Sequence, residues 1–261
     1  MLKTSVLLSG SKGNATLVCT ENSHILVDAG LSAKKIFAAM EQINYSPQSL
    51  DAIVISHEHG DHVKGAGIIS RKLGIPIYFT HDTYRCCKSK LGVLKVEPIY
   101  FEVGDKFPIG DIEVTSFSSS HDAIDSSNFT FSEKGNEKQL LAFATDLGFA
   151  SKLLLNKISK ATTIILESNH DEVLLVEGPY PWELKQRVKS IVGHLSNKQA
   201  VAIISQVIHP KLNNLLLAHL SETNNRPELA ESEMQNYLTE IKHPVKLYIA
   251  GQYKPTPIVI V

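Results

Sequence analysis

The chain has too few cysteines, too little net charge and no apolar run long enough to place it in several common protein classes. Its three cysteines, Cys19, Cys86 and Cys87, are odd in number and two are adjacent, which fits a reduced, cytoplasmic protein better than a disulfide scaffold. A formal net charge of −1 gives no global attraction to nucleic acid or anionic lipid, so a polyanion must be met by a local patch. No apolar stretch reaches the length that spans a bilayer, and no membrane association is expected. The early apolar run at 5–8 is broken by Ser9-Gly10-Ser11 before a secretory segment can form, so it reads as a first strand. No low-complexity tract, proline-rich linker, block of like charge or fixed-period repeat divides the chain. One domain over residues 1–261 is the expectation.

What is present begins with length: 261 residues, 43% of them hydrophobic, can bury a sizeable core. Short apolar runs between turn signals predict strands at 5–8, 25–27, 52–55, 75–79, 112–117, 140–144, 163–166, 215–218 and 245–249. Helical periodicity predicts helices at 33–43, 64–73, 151–159, 182–192, 196–208 and 227–241. The fifth opens on Ser196 with Gln199 three residues on, a capping-box spacing. Early strands lie close together and later ones alternate with helices, an α/β pattern of sheet layers covered by helices.

The densest chemical signal follows the predicted strand at 52–55, where the chain reads His57-Glu58-His59-Gly60-Asp61-His62. In an extended segment alternate residues share a face, so His57, His59 and Asp61 converge, and Gly60 permits the bend that brings His62 round. This differs from the helical HExxH zinc signature, and Glu58 is expected to point away from the cluster. His121, Asp146, His170 and His219 each end a predicted strand, where strand ends on one sheet edge can assemble a site. Each alone reads equally as a capping aspartate or a surface histidine. His194 precedes the Ser196 helix start; it is either a helix-start hydrogen bonder or a group that holds a substrate phosphate or protonates a leaving group.

These residues resemble the metallo-β-lactamase superfamily, whose HxHxDH motif holds two metals. The runs Ser9-Gly-Ser-Lys-Gly-Asn14, Val27-Asp-Ala-Gly-Leu31, Glu167-Ser-Asn-His-Asp171, Gly178-Pro-Tyr-Pro-Trp182, Gly193-His-Leu-Ser-Asn197 and Leu217-Ala-His-Leu-Ser221 narrow the resemblance to the YycJ-like (WalJ-like) branch, over nearly the whole chain. It implies a four-layer αββα sandwich. It also implies that His57, His59 and His121 hold one metal, Asp61, His62 and His219 the other, with Asp146 bridging. His170 is either a ligand or an outer group. Asp61, His194 and His170 are the expected catalytic groups. Asp28 is expected beneath the metals, although from the residues alone it equally caps the helix after Ser32.

Imidazole and carboxylate ligands suit zinc, manganese or iron, with zinc or manganese expected. Two such ions roughly 3.5–4 Å apart would activate a metal-bound hydroxide and clamp an in-line displacement at phosphorus. No GxSxG elbow competes. The resemblance implies 5′-to-3′ exonuclease activity on double-stranded DNA. Candidate substrate contacts are Ser11, Lys12 and Asn14 in a glycine-containing loop, and Tyr180, Trp182, Lys185 and His194, with Arg187 and Lys189 adding charge near the aromatics. The alternatives are a tight turn and a packed, solvated helix face. Lys12 stands where the family loop carries a small polar residue. Lys34, Lys35, Lys64, Arg71 and Lys72 add charge on helices. Hydrolysis of a small ester, thioester or lactam, and a catalytically idle metal-bearing binding module, remain as alternatives to the nuclease.

Overall fold

The computed structural model describes residues 1–261 apart from the side chain of Glu137. The first half runs β1 (Lys3–Leu8), β2 (Ala15–Cys19), β3 (His24–Val27), α1 (Ala33–Gln42), β4 (Ala52–Val54), α2 (Gly60–Val63), α3 (Ala66–Leu73), β5 (Ile77–Phe79), α4 (His81–Leu91), β6 (Ile99–Tyr100), β7 (Lys106–Ile109) and β8 (Ile112–Ser118). The second runs β9 (Ser127–Glu133), β10 (Asn136–Ala144), α5 (Lys152–Ile158), β11 (Thr163–Glu167), α6 (Glu172–Glu177), α7 (Trp182–Lys189), α8 (Asn197–Val207), β12 (Asn214–Ala218), α9 (Pro227–Glu240), β13 (Lys246–Ile249) and β14 (Val259–Ile260).

The strands form two sheets, ordered β14-β1-β2-β3-β4-β5-β6 and β13-β12-β11-β10-β9-β8-β7. Side-chain alternation explains why the central strands are apolar throughout. In β4, Ala52 and Val54 face the second sheet, whereas Ile53 packs under the helices of the first half. In β12, Leu216 and Ala218 join the inter-sheet core, while Leu215 and Leu217 pack against helices of the second half. A sheet buried on both faces needs apolar residues at every position. Three apolar layers thus separate four layers of structure: α1, α3 and α4 on one sheet, and α5, α8 and α9 on the other. This is the αββα sandwich.

The differences from the sequence reading have local causes. The predicted helix at 64–73 begins at Ala66, because Gly65 sits against the Leu31 carbonyl and residues 60–63 form a separate turn. The predicted strand at 75–79 starts at Ile77, past Pro76, which has no N–H for a ladder. Strand β9 was not predicted because only Phe129 and Phe131 are large and apolar among buried serine and threonine. Helix α4 was not predicted because its buried stripe is only Thr83, Cys87 and Leu91. The capping box at Ser196 and Gln199 is present.

Candidate metal centre

The site lies where strands of both sheets end. Strand β3 delivers Asp28, β4 delivers Ser56 and the His57–His62 turn, β8 delivers His121, β10 delivers Asp146 and β12 delivers His219. Asp28, Asp146 and His219 adopt left-handed backbone, with φ of 60°, 56° and 58°. Non-glycine residues rarely accept that conformation away from helix ends, and its recurrence at three strand ends marks geometry held by the surrounding structure. Main-chain bonds lock the loops together: Asn14 N donates to Asp61 O at 2.8 Å, Gly30 N to Asn14 O at 2.9 Å and Ala29 N to His62 O at 2.7 Å.

His57, His59 and His121 converge first. His57 Nε2 lies 3.1 Å from His59 Nδ1, which lies 3.3 Å from His121 Nε2. Nitrogens sharing one tetrahedral ion at zinc–imidazole bond lengths stand about 3.3 Å apart, so the spacing suits one cation. A second group forms beside it, with Asp61 Oδ2 at 3.5 Å from His62 Nε2 and 3.9 Å from His219 Nε2. Asp146 spans the two: its Oδ1 is 3.8 Å from His121 Nε2 and its Oδ2 is 3.6 Å from His62 Nε2. Asp146 Oδ2 and His219 Nε2 are buried without hydrogen-bond partners, a costly state unless a further group is bound there. The nitrogen and carboxylate donors suit a divalent cation at each position.

Two buried carboxylates orient the rings from behind. Asp28 accepts from His62 Nδ1 at 2.8 Å and from Ser56 N and Oγ, turning His62 Nε2 towards Asp61. Glu167, fully buried at the end of β11, accepts from His219 Nδ1 at 2.6 Å and His194 Nδ1 at 2.8 Å through Oε1. Its Oε2 accepts from Leu147 N and Leu195 N. The sequence reading assigned Glu167 no role; its one signal is an acid closing an otherwise apolar strand. Burial favours a neutral Glu167 carboxyl, yet His194 and His219 overcome it and hold the pKa at about 2. Burial likewise lowers His219, but Asp146, Asp61 and Glu167 raise it to about 10. His62 is raised well above the ordinary range against burial by Asp146, Asp28 and Asp61. The carboxylates therefore demand positive charge, which protons or cations can supply.

Not all predicted residues meet here. Ser11, Tyr180 and His194 line a central cavity of about 230 Å³ over the cluster, with Asp122, Leu184, Arg187 and Val188. Trp182 and Lys185 do not. Residues 184, 187 and 188 share one face of α7 at helical spacing, which leaves Trp182 72% exposed and ties Lys185 Nζ to Val176 O. Asn14 is buried, with its amide nitrogen 3.2 Å from His62 Nε2 and its oxygen accepting from Ser9 and Gly10; it braces the site. Lys12 is no free cation, because Nζ lies 2.6 Å from Glu222 Oε2 and donates to Tyr253. Glu58 accepts from Ile124 N through its side chain, outside the cluster. Arg71 and Lys72 serve the fold, on Leu91 O and over the Phe37 ring.

His170, expected among the catalytic groups, does not line the central cavity. A bridge to Ser196 and the Asn197 N to His170 O bond fix its backbone. Its side chain lines another hollow, with Glu172, Lys189 and Gln199. Burial pushes its pKa down to about 4 against the pull of Glu167. The unfolded chain therefore takes up this proton near its ordinary pKa of about 6.5, and the folded chain only near 4. Stability should fall by roughly 3 kcal/mol from this residue as pH drops through that window. Urea unfolding of His170→Gln should show a flatter acid limb; limbs parallel to the wild type would refute the effect.

The layered fold and the gathered imidazole and carboxylate groups define a class of metal-binding hydrolases, and comparison with known proteins agrees. A model of the beta-lactamase superfamily domain matches residues 23–219, and the chain belongs to the metallo-β-lactamase superfamily of metal-dependent hydrolases. Within it the chain falls in the YycJ/WalJ branch. The exodeoxyribonuclease YycJ of Bacillus anthracis is 39% identical over 237 residues, covering 90% of this chain and 89% of that protein. The exodeoxyribonuclease WalJ of Streptococcus pneumoniae serotype 2 is 38% identical over 241 residues, covering 91% and 88%. Among solved structures, the metallo-β-lactamase fold protein YhfI of Bacillus subtilis shares 16% identity at a TM-score of 0.73, covering 98% of each chain. Zn²⁺-bound PqqB of Methylobacterium extorquens shares 14% at 0.72, covering 97% of this chain and 99% of that one. At these identities the structural likeness concerns the fold alone.

Proposed function

We propose that this chain is a cytoplasmic 5′-to-3′ DNA exonuclease, one metallo-β-lactamase domain over 1–261, that uses two divalent cations, zinc or manganese. The observation that carries it is Asp146, whose two oxygens face the metal-side nitrogens of His121 and His62 at 3.8 and 3.6 Å. In this reading His57, His59 and His121 hold one cation, Asp61, His62 and His219 the other, and Asp146 contributes to both. The bound pair would supply Lewis-acid charge at phosphorus and lower the pKa of water. Asp28 and Glu167 fix the ring tautomers, since each accepts from a histidine Nδ1 and leaves Nε2 for the cation.

The cavity walls suit a nucleotide. Arg187 brings a guanidinium to the cavity, held by Asp122, and a planar guanidinium pairs well with phosphate. Tyr180 offers a ring face on which a terminal base can stack. His194, its Nδ1 fixed on Glu167, presents Nε2 to the substrate. The names of the YycJ and WalJ relatives support DNA as the polymer. The free cysteines Cys19, Cys86 and Cys87 suit a reducing compartment.

The test is digestion of DNA labelled at its 5′ or its 3′ end, with Zn²⁺ or Mn²⁺ supplied. Labelled mononucleotide should appear first from the 5′ label, and Asp61→Ala should lower the rate by about a thousandfold or more. Release first from the 3′ label would reverse the polarity. Turnover of thioesters with intact DNA would favour a carbonyl hydrolase, and metal binding with neither activity an idle module.

A further inference from the structure

We propose that the substrate strand leading away from the scissile bond lies in a lysine-lined hollow beside α2 and α4, its phosphates held by Lys64 and Lys90. This rests on the phosphodiesterase reading above and adds where the polymer runs. The hollow measures about 500 Å³ and is lined by Lys12, Lys64 and Lys90 with Gly30, Gly60 and Asp61. It meets the central cavity at Ser11 and Asp61, which line both.

Its charge is built for an anion. The only carboxylate in the lining is Asp61, a member of the cation cluster. Lys12 is neutralised by Glu222, but Lys64 is exposed and its ammonium has no ion pair or hydrogen bond among the described residues. Lys90 Nζ donates to the main-chain oxygen of Glu58 at 3.1 Å. That bond tethers the ammonium to the histidine turn without cancelling its charge.

Gly60 adds an independent observation. A Cβ on Gly30 or Gly65 would fall 1.5 Å from Asp61 O or 2.1 Å from Leu31 O, so the fold requires those glycines. A Cβ on Gly60 would meet nothing within 4 Å, and its φ is ordinary. Glycine is a poor helix former, yet it opens α2. Its bare surface, between His59 and Asp61, leaves room for a backbone that is not part of this chain.

The two spaces then divide the work. The central cavity is smaller, about 230 Å³, and is walled by Leu184, Arg187 and Val188 of α7; it takes the terminal nucleotide. The larger hollow takes the rest of the strand, so the cation cluster at their junction cuts one nucleotide from the end. Lysine contacts to phosphate carry no sequence information, so the track is blind to sequence.

The test uses metal-loaded protein with Lys64→Glu, Lys90→Glu and, as a control on α1 that lines neither space, Lys34→Glu. Each of the first two should raise the KM for DNA about tenfold and lower the slope of log affinity against log salt by roughly 0.7. Their effect on bis(p-nitrophenyl) phosphate, too small to reach the lysines, should be about tenfold weaker than on DNA. Lys34→Glu should change neither. An unchanged KM for DNA, or equal losses on DNA and the small diester, would overturn the proposal. If the wild type cleaves neither substrate, the phosphodiesterase reading fails separately. Fluorescence anisotropy with intact labelled DNA then decides the track: weaker binding by Lys64→Glu and Lys90→Glu supports it, and unchanged binding refutes it.

Discussion

Glu167→Ala is expected to cost roughly 3–5 kcal/mol of folding stability and to weaken cation binding by about 10–100-fold. Glu167 is fully buried and its two oxygens accept four hydrogen bonds, from His194, His219, Leu147 and Leu195. Alanine would strand two buried main-chain N–H groups and free two imidazole rings whose directions the site depends on. Each stranded donor carries its full desolvation cost. Glu167→Gln separates the contributions, because it keeps the volume and one acceptor oxygen but turns an amide N–H towards groups that donate. It should recover part of the stability and little of the metal affinity. Denaturant unfolding, paired with zinc titration, measures both; a loss below about 1 kcal/mol for Glu167→Ala would show that the neighbouring loops do not depend on it.

Gly30→Ala is the second large effect. The added methyl would sit 1.5 Å from Asp61 O, 2.2 Å from Asp61 C and 2.7 Å from Asn14 N. All three are main-chain atoms, so no rotamer change relieves the clash. The Asn14–Asp61 and Gly30–Asn14 bonds must break or shift, moving Asp61 off its partners. A cost of roughly 3 kcal/mol or more is expected, with loss of one bound cation. Gly74→Ala is the contrast. Its Cβ meets nothing within 4 Å, though φ is +70°, so it should cost about 1 kcal/mol through backbone strain alone and leave metal content intact. Thermal or urea unfolding with metal analysis of both variants checks the pair; equal behaviour would remove the steric argument.

How much of this was legible in sequence depended on whether the relevant contact was local. The His57–His62 cluster is legible because six consecutive residues carry four ligand-type groups. His121, Asp146 and His219 are legible by their position after apolar strands. Glu167 is hidden because its four partners come from three other segments, and its one local signal, an acid closing the apolar run TIILE, does not say what it holds. Lys12 reads as a free cation because Glu222 and Tyr253 lie more than 200 residues away. The α7 contacts depend on helix register. Aromatic and basic residues at 180–189 all suggest a substrate surface, but only Tyr180 and Arg187 among them line the cavity. His170 shares the strand-end position of the other candidates, but its side chain lines the hollow with Glu172, Lys189 and Gln199 and not the central cavity, a placement that no local pattern shows.

The central claim is that seven residues from four separate segments, His57, His59, Asp61, His62, His121, Asp146 and His219, form two adjoining cation positions. Metal analysis of the purified, zinc- or manganese-loaded protein tests this most directly. Two equivalents per chain are expected, falling to one in His59→Ala and again to one in Asp61→Ala, each with the fold retained by circular dichroism. A loaded wild type holding one equivalent or none, or either variant keeping two, would contradict it.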